Sequence, residues 1–205
     1  MRVTEQVDGR RRRGAATRRR AARHAADLAT LGGLETVTVG RLAAGTSLSK
    51  SGILTVFGNR EAIQLAAVAE ARRVYVAHVV APAWHLEPGL SRLRGVLDNW
   101  FAYVTDRVFP GGCFLLTTSV EYAAQEGPVA DAVRALKQEW LDLLRAEVAA
   151  ALPDTAAGRR RAAEAAFEID AFLSAAHVRH RLLRDDDGLA LARRSLNRLL
   201  HSLQD

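Results

Sequence analysis

Two neighbouring stretches, GLETVTVGRLA at residues 33–43 and LSKSGILTVFGNREAI at residues 48–63, decide the fold. Thr38 offers the side-chain oxygen of a good N-cap, and Val39, Leu42 and Ala43 behind it share one helical face. That helix frays at Gly45-Thr46-Ser47. Ser49 then caps a second short helix that carries Ile53 and ends near Phe57-Gly58. Asn59 caps a longer helix expected to run from Arg60 to about Val80, before Pro82. Two short helices joined by a tight turn make a helix-turn-helix. The second is too short to be stable alone, so Leu42, Leu48, Ile53 and Phe57 must hold it. In such a unit the second helix enters the major groove with its N-terminal residues at base edges.

Upstream, charge is concentrated. Residues 1–24 hold Arg2, Arg10, Arg11, Arg12, Arg13, Arg18, Arg19, Arg20 and Arg23 against Glu5 and Asp8. The whole chain carries +6, so the remaining residues sum to −1. A basic segment leading into a helix is the footprint of a polyanion binder. A solvated tail that only aids solubility is the plainer alternative. Residues 1–16 lack hydrophobic periodicity and read as a flexible arm. Thr17 is the expected cap of a first helix running to about Leu31, with Ala21, Ala22, Ala25, Leu28 and Ala29 inward and Gly32-Gly33 as its stop.

Downstream, helical periodicity continues over about 91–108, 113–125, 129–151, 156–184 and 189–203, punctuated by Pro110-Gly111-Gly112, Gly127-Pro128, Pro153 and Asp185-Asp186-Asp187-Gly188. No strand-like alternation competes. The expected fold is all-α, about nine helices. It divides into a basic arm (1–16), a helix-turn-helix domain (17–58) and a helical effector-binding and dimerisation domain (59–205). One cysteine, Cys113, excludes an internal disulfide framework and suits a reducing, cytoplasmic compartment. No run approaches the ~20 apolar residues of a membrane span, and no secretory signal is evident.

The stretch from Thr17 through Ile63 resembles the DNA-binding domain of the TetR family. Residue types match over about 45 positions, and every gap has the right length. FPGGCFLLTTSVEY (109–122) and GPVADAV (127–133) are similar to one branch of that family's ligand domains. The resemblance implies that Thr38 caps its helix and touches phosphate. It implies that Ser49, Lys50, Ser51, Gly52, Leu54 and Thr55 present the recognition face, that Arg60 holds a phosphate, and that Arg18 joins the DNA-binding set. It also implies a double-stranded DNA operator, a homodimer and a small-molecule effector of unknown identity; from the residues themselves no membrane, no cofactor and no metal is expected. The chain departs from the family pattern in four places. Leu54-Thr55-Val56 stands where aromatics and a His are usual. Ser47 stands in the turn where Gly is usual, and Ala29 replaces a bulky core residue. Gly45 sits in a helix where Ala would be better by roughly 1 kcal/mol. Together these suggest a looser DNA-binding domain, with the Arg arm compensating through backbone or minor-groove contacts.

Trp100, Tyr103, Cys113, Phe114, Thr117, Tyr122 and Trp140 are candidates for an effector pocket, with ordinary core packing as the alternative for each. The last two helices are the expected dimer interface, through Ile169, Leu173, Ala176, Leu196, Leu199 and Leu200. His177 and His180 could share a metal, but a helix-surface or dimer-contact role suits them better. The aspartates at 185–187 fit a solvated loop with a helix cap, and Cys113 fits a small buried hydrophobe better than a redox switch. No nucleophile elbow, phosphate-cradling loop or carboxylate pair is present, which argues against an enzyme. The function expected is a ligand-responsive repressor binding a near-palindromic operator as a dimer. The alternative is a basic protein acting on DNA or anionic membrane surfaces without sequence preference.

Overall fold

The computed structural model describes residues 2–204, with side chains from Gly14 onward. Nine α-helices and no strand are found among the described residues. They are α1 (Arg2–Gly32), α2 (Val39–Ala44), α3 (Lys50–Phe57), α4 (Arg60–Tyr75), α5 (Leu90–Thr105), α6 (Phe114–Glu121), α7 (Pro128–Ala149), α8 (Ala156–Leu182) and α9 (Asp187–His201). The all-α architecture matches the sequence expectation. Among these residues no helix is long and apolar enough to cross a membrane.

Three caps set the N-terminal unit. Thr38 accepts from Arg41 N at 3.2 Å, Ser49 from Gly52 N at 3.0 Å and Asn59 from Ala62 N at 2.8 Å. Each satisfies a backbone donor that a helix start leaves orphaned. Leu42, Ile53 and Phe57 are buried, and Leu48 packs against the same core. These are the side chains expected to pin the short α3.

The first helix begins at Arg2, upstream of the expected start, so Thr17 lies inside α1 and caps nothing. The Arg- and Ala-rich run has high helix propensity, and the backbone continues through it. The side chains of Arg2 and Arg10 to Arg13 lie outside the described residues. Ala21, Ala22, Ala25, Ala26 and Ala29 are all buried. Small side chains on this face let α1 lie close against α4, its most extensive partner. Ala29 is therefore no defect, because close approach of helices replaces side-chain bulk. Gly45 needs a similar correction. It is the C-cap of α2 rather than an interior residue, and a Cβ there would sit 1.8 Å from His24 Nε2. Alanine would displace the His24 ring rather than stabilise the unit.

After Tyr75 the chain passes through a π-helical turn (Val76–Val80) and a 3-10 turn (Ala81–Ala83) before α5. Such irregular turns often mark functional sites, and this one borders a cavity. Two polar clusters fix the body around it. The Glu147 carboxylate accepts from Gly89 N at 2.8 Å and pairs with Arg92 at 3.2 Å, both side chains nearly buried. Lys137 meets Asp170 at 2.6 Å, and Trp140 Nε1 donates to the same carboxylate at 3.1 Å.

Candidate nucleic-acid interface and effector cavity

The α3 surface is open. Ser49, Lys50, Ser51, Leu54 and Thr55 are exposed, with Gly52 and Thr38 half-buried beside them. Small polar groups and one lysine at a capped helix start suit phosphate and base-edge contact. Two of the expected cations are engaged within the chain. Arg18 donates to Val56 O at 2.5 Å, its guanidinium 4.7 Å from the Phe57 ring centre, and so closes the C-terminal end of α3. Arg60 pairs with Glu35 at 2.8 Å and donates to Val37 O at 3.3 Å. Both side chains position α3 and the turn before α2.

The FPGGC loop explains why those residues stand together. Arg23 donates to Val108 O, and its guanidinium lies 4.3 Å from the Phe109 ring centre. Gly111 N donates to the buried Thr30 hydroxyl at 3.0 Å. A Cβ on Gly111 would sit 1.8 Å from Thr30 O, so α1 and the loop meet backbone to backbone. Cys113 N donates to His177 Nε2 at 3.0 Å. The loop is thus wedged between α1 on one side and α8 on the other.

At its far end α6 grips the same N-terminal unit. Glu121 accepts from Leu34 N at 2.7 Å and Glu35 N at 2.8 Å, capping the 3-10 turn Leu34–Thr36. Tyr122 donates to Glu35 at 3.0 Å, and Gln64 of α4 donates to Leu34 O at 2.9 Å. The Tyr122 bond, followed by the Arg60 charge, holds the Glu35 carboxyl below its usual range against the opposing effect of burial. Sequence reasoning missed this network. The only hint is a Glu-Tyr pair closing a short helix.

A cavity of about 320 Å³ opens between α4, α5, α6 and α7. That lies at the small end of ligand-pocket volumes. Tyr75, Val76, Tyr103, Phe114, Leu115, Leu136 and Trp140 form its apolar walls, and Trp84, Leu143 and Ala146 flank its mouth. Tyr75 makes edge contacts with Tyr103 and Trp140, both at 5.6 Å. Tyr103, Phe114 and Trp140 are the members of the expected pocket set that line it. Trp100 and Cys113 are buried outside its wall, and Thr117 bonds back to Cys113 O at 3.1 Å. Tyr122 faces Glu35 instead. The missed wall comes from α4 and α7, where apolar residues at helical spacing read as ordinary core and give no pocket signal.

The apolar side chains expected at a dimer interface are placed differently. Ile169, Leu173, Ala176, Leu196, Leu199 and Leu200 are buried inside the protomer, where they hold α8 and α9 to the body and to each other. The exposed apolar groups are Phe167, Val178 and Leu182 along one stripe of α8, then Leu183, then Leu191 on α9. Helical periodicity marks the apolar face, but it does not say whether that face meets the chain's own core or a partner. His177 is not on the surface; it is buried. Burial, then the nearby Arg181 charge, depresses it to about 4, so it is a neutral acceptor at pH 7. His180 meets Asp186 at 2.8 Å. No group of three metal-ligating side chains occurs among the described residues.

A capped, exposed second helix in an N-terminal helical unit, joined to a bundle with a ligand-sized cavity, defines a helix-turn-helix regulator. Residues 89–196 match the family model of the tetracyclin repressor-like C-terminal domain. The chain belongs to the TetR family of DNA-binding transcriptional regulators. Solved structures share its fold. A TetR regulator from Chloroflexus aurantiacus J-10-FL is 24% identical, with a TM-score of 0.80 over 95% of this chain and 97% of that one. A TetR-family regulator from Streptomyces coelicolor is 21% identical, with a TM-score of 0.77 over 93% and 97%. AibR, solved in complex with isovaleryl coenzyme A and operator DNA, is 19% identical, with a TM-score of 0.67 over 90% and 98%. No curated protein matches the chain.

Proposed function

We propose that the chain is a ligand-responsive repressor that binds a near-palindromic operator as a homodimer in the cytoplasm and carries no catalytic activity. Residues 1–16 form its basic arm, 17–58 its DNA-binding domain and 59–205 its effector and dimerisation domain. One observation carries this reading. α6 starts in the cavity wall at Phe114 and Leu115 and ends on the turn before α2 through Glu121. A ligand pressing on the first end would move the second. Recognition-helix spacing would change across the dimer, and operator affinity would fall by coupling between the two sites. AibR supports the reading, since a chain of similar fold is held with both a small molecule and operator DNA.

The test is fluorescence anisotropy on the duplex upstream of the coding region, with excess unrelated DNA and a salt series. Saturable binding that resists the competitor is expected. Binding that vanishes with competitor would instead favour a basic protein without sequence preference. Deleting residues 1–13 removes Arg2, Arg10, Arg11, Arg12 and Arg13. It should weaken operator binding at least tenfold near 0.1 M salt and flatten the salt dependence, as lost phosphate contacts do. Unchanged affinity would sink the role given to the arm.

The dimer reading rests on the exposed α8 stripe. A contiguous apolar face on a lone protomer is what a partner covers. Phe167→Glu, with its side chain 74% exposed in the protomer, should leave the fold intact and raise the dimer dissociation constant at least 100-fold. Light scattering after size-exclusion chromatography reads this directly. A variant that stays dimeric places the interface elsewhere.

A further inference from the structure

We propose that the cavity takes an uncharged, largely apolar small molecule bearing one hydrogen-bond acceptor, such as a carbonyl oxygen, which the Tyr103 hydroxyl recognises. This rests on the reading of the cavity as the effector site.

Tyr103 stands in the cavity wall and is 2% exposed. Its hydroxyl is fully enclosed and has no hydrogen-bond partner. The nearby Phe114 N–H can only donate to the phenol oxygen, so the hydroxyl's own proton still lacks an acceptor. A buried hydroxyl without a partner is costly, and phenylalanine would pack the same ring without that cost. An acceptor carried by a ligand in the cavity would satisfy it once a small shift of the wall opens the hydroxyl to the cavity. Ser119 Oγ is the other such atom among the described residues, but Ser119 is not part of this wall.

Apart from the Tyr75 hydroxyl, the remaining polar groups of the wall are engaged elsewhere. Trp140 turns its indole N–H to Asp170, and Asp170 is neutralised by Lys137. Arg72 and Glu139 form a two-bond ion pair of 2.5 and 2.7 Å, and Asp142 accepts from Gln138 and Arg145. No charged side chain is left over to meet an ionic ligand inside the apolar walls, and a buried unpaired charge is strongly disfavoured. Two phenol hydroxyls therefore remain among the aromatic edges, and of these the buried one of Tyr103 is the one whose missing partner is costly.

Four probes of matched size separate the possibilities: butyrophenone, n-butylbenzene, 4-phenylbutyrate and 4-phenylbutylammonium. Each is titrated into the full chain by calorimetry, with tryptophan fluorescence in parallel, since Trp84 and Trp140 line the cavity. Butyrophenone should bind about tenfold more tightly than n-butylbenzene, the worth of one hydrogen bond, and both charged probes more weakly than either. In Tyr103→Phe the ketone advantage should disappear while n-butylbenzene binds at least as well. Leu143→Trp, at the mouth, should weaken both neutral probes and so place them in this cavity. Equal binding of ketone and hydrocarbon, or preference for a charged probe, overturns the assignment while leaving the cavity a ligand site. Failure of all four to bind overturns the effector reading and the inference with it.

Discussion

Gly111→Ala should lower stability by about 3 kcal/mol, a drop of roughly 10 °C in melting temperature for a chain of this size. The added Cβ would sit 1.8 Å from Thr30 O and 2.6 Å from Thr30 Cβ. A flexible side chain could swing aside, but a helix carbonyl cannot. Either α1 moves off the loop or the loop moves off α1, and both routes break the Gly111 N to Thr30 hydroxyl bond. The loop also carries Phe109 under Arg23 and leads directly into α6, so the damage reaches the coupling between cavity and recognition helix. The variant should therefore lose operator affinity and respond more weakly to any effector. Gly14→Ala is the matched control. A Cβ at Gly14 meets nothing within 4 Å, and α1 is helical there. That change should be neutral or slightly stabilising. Thermal melts of both variants settle the matter. A Gly111→Ala protein that melts like the parent would mean that the loop is not wedged against α1.

The contrast between these two glycines shows what the sequence could and could not convey. The helix-turn-helix was legible because its signals are local. Thr38, Ser49 and Asn59 each cap the helix that follows them, and a cap needs only three residues of context. Helix existence in the C-terminal half was legible for the same reason, from periodicity bounded by Pro and Gly. Long-range partners were not. Gly45 looks like a weak spot within a helix, and only the position of His24, 21 residues away, makes it necessary. Arg60 looks like a free phosphate ligand until Glu35 is placed beside it. Leu173 and Leu196 look like interface residues, because an apolar stripe carries no label for its partner. Tyr103 was legible as a pocket candidate, but its lone hydroxyl was not, since an unsatisfied atom is defined by every neighbour that fails to reach it.

His177 should make the protein acid-sensitive in a definable window. Its native value is depressed to about 4, first by burial and then by Arg181 and His180 on its own helix. The group facing it from the loop is the Cys113 N–H, which it accepts, and the neighbouring Cys113 thiol is itself pushed up by burial and stays neutral. An unfolded histidine titrates near 6.5. Above pH 6.5 neither state is protonated, and His177 contributes no pH dependence. Between pH 6.5 and 4 the unfolded chain binds a proton that the native chain refuses, so unfolding free energy falls as pH falls. Below 4 both states are protonated and the loss levels off. The total is up to about 3 kcal/mol. Other groups titrate at the acid end, so the decisive quantity is the difference between two proteins. His177→Gln keeps a carbonyl that can accept the Cys113 N–H but cannot titrate. Urea unfolding at intervals from pH 7.5 to 4.0 should show a smaller fall for the variant, with the two curves diverging below pH 6.5. Protonation also withdraws the acceptor that holds the loop to α8. Operator affinity of the folded parent should therefore hold through most of that window, weaken only as pH approaches 4, and weaken less in the variant. Parallel stability curves would place His177 in contact with solvent rather than in the wedge between α8 and the loop.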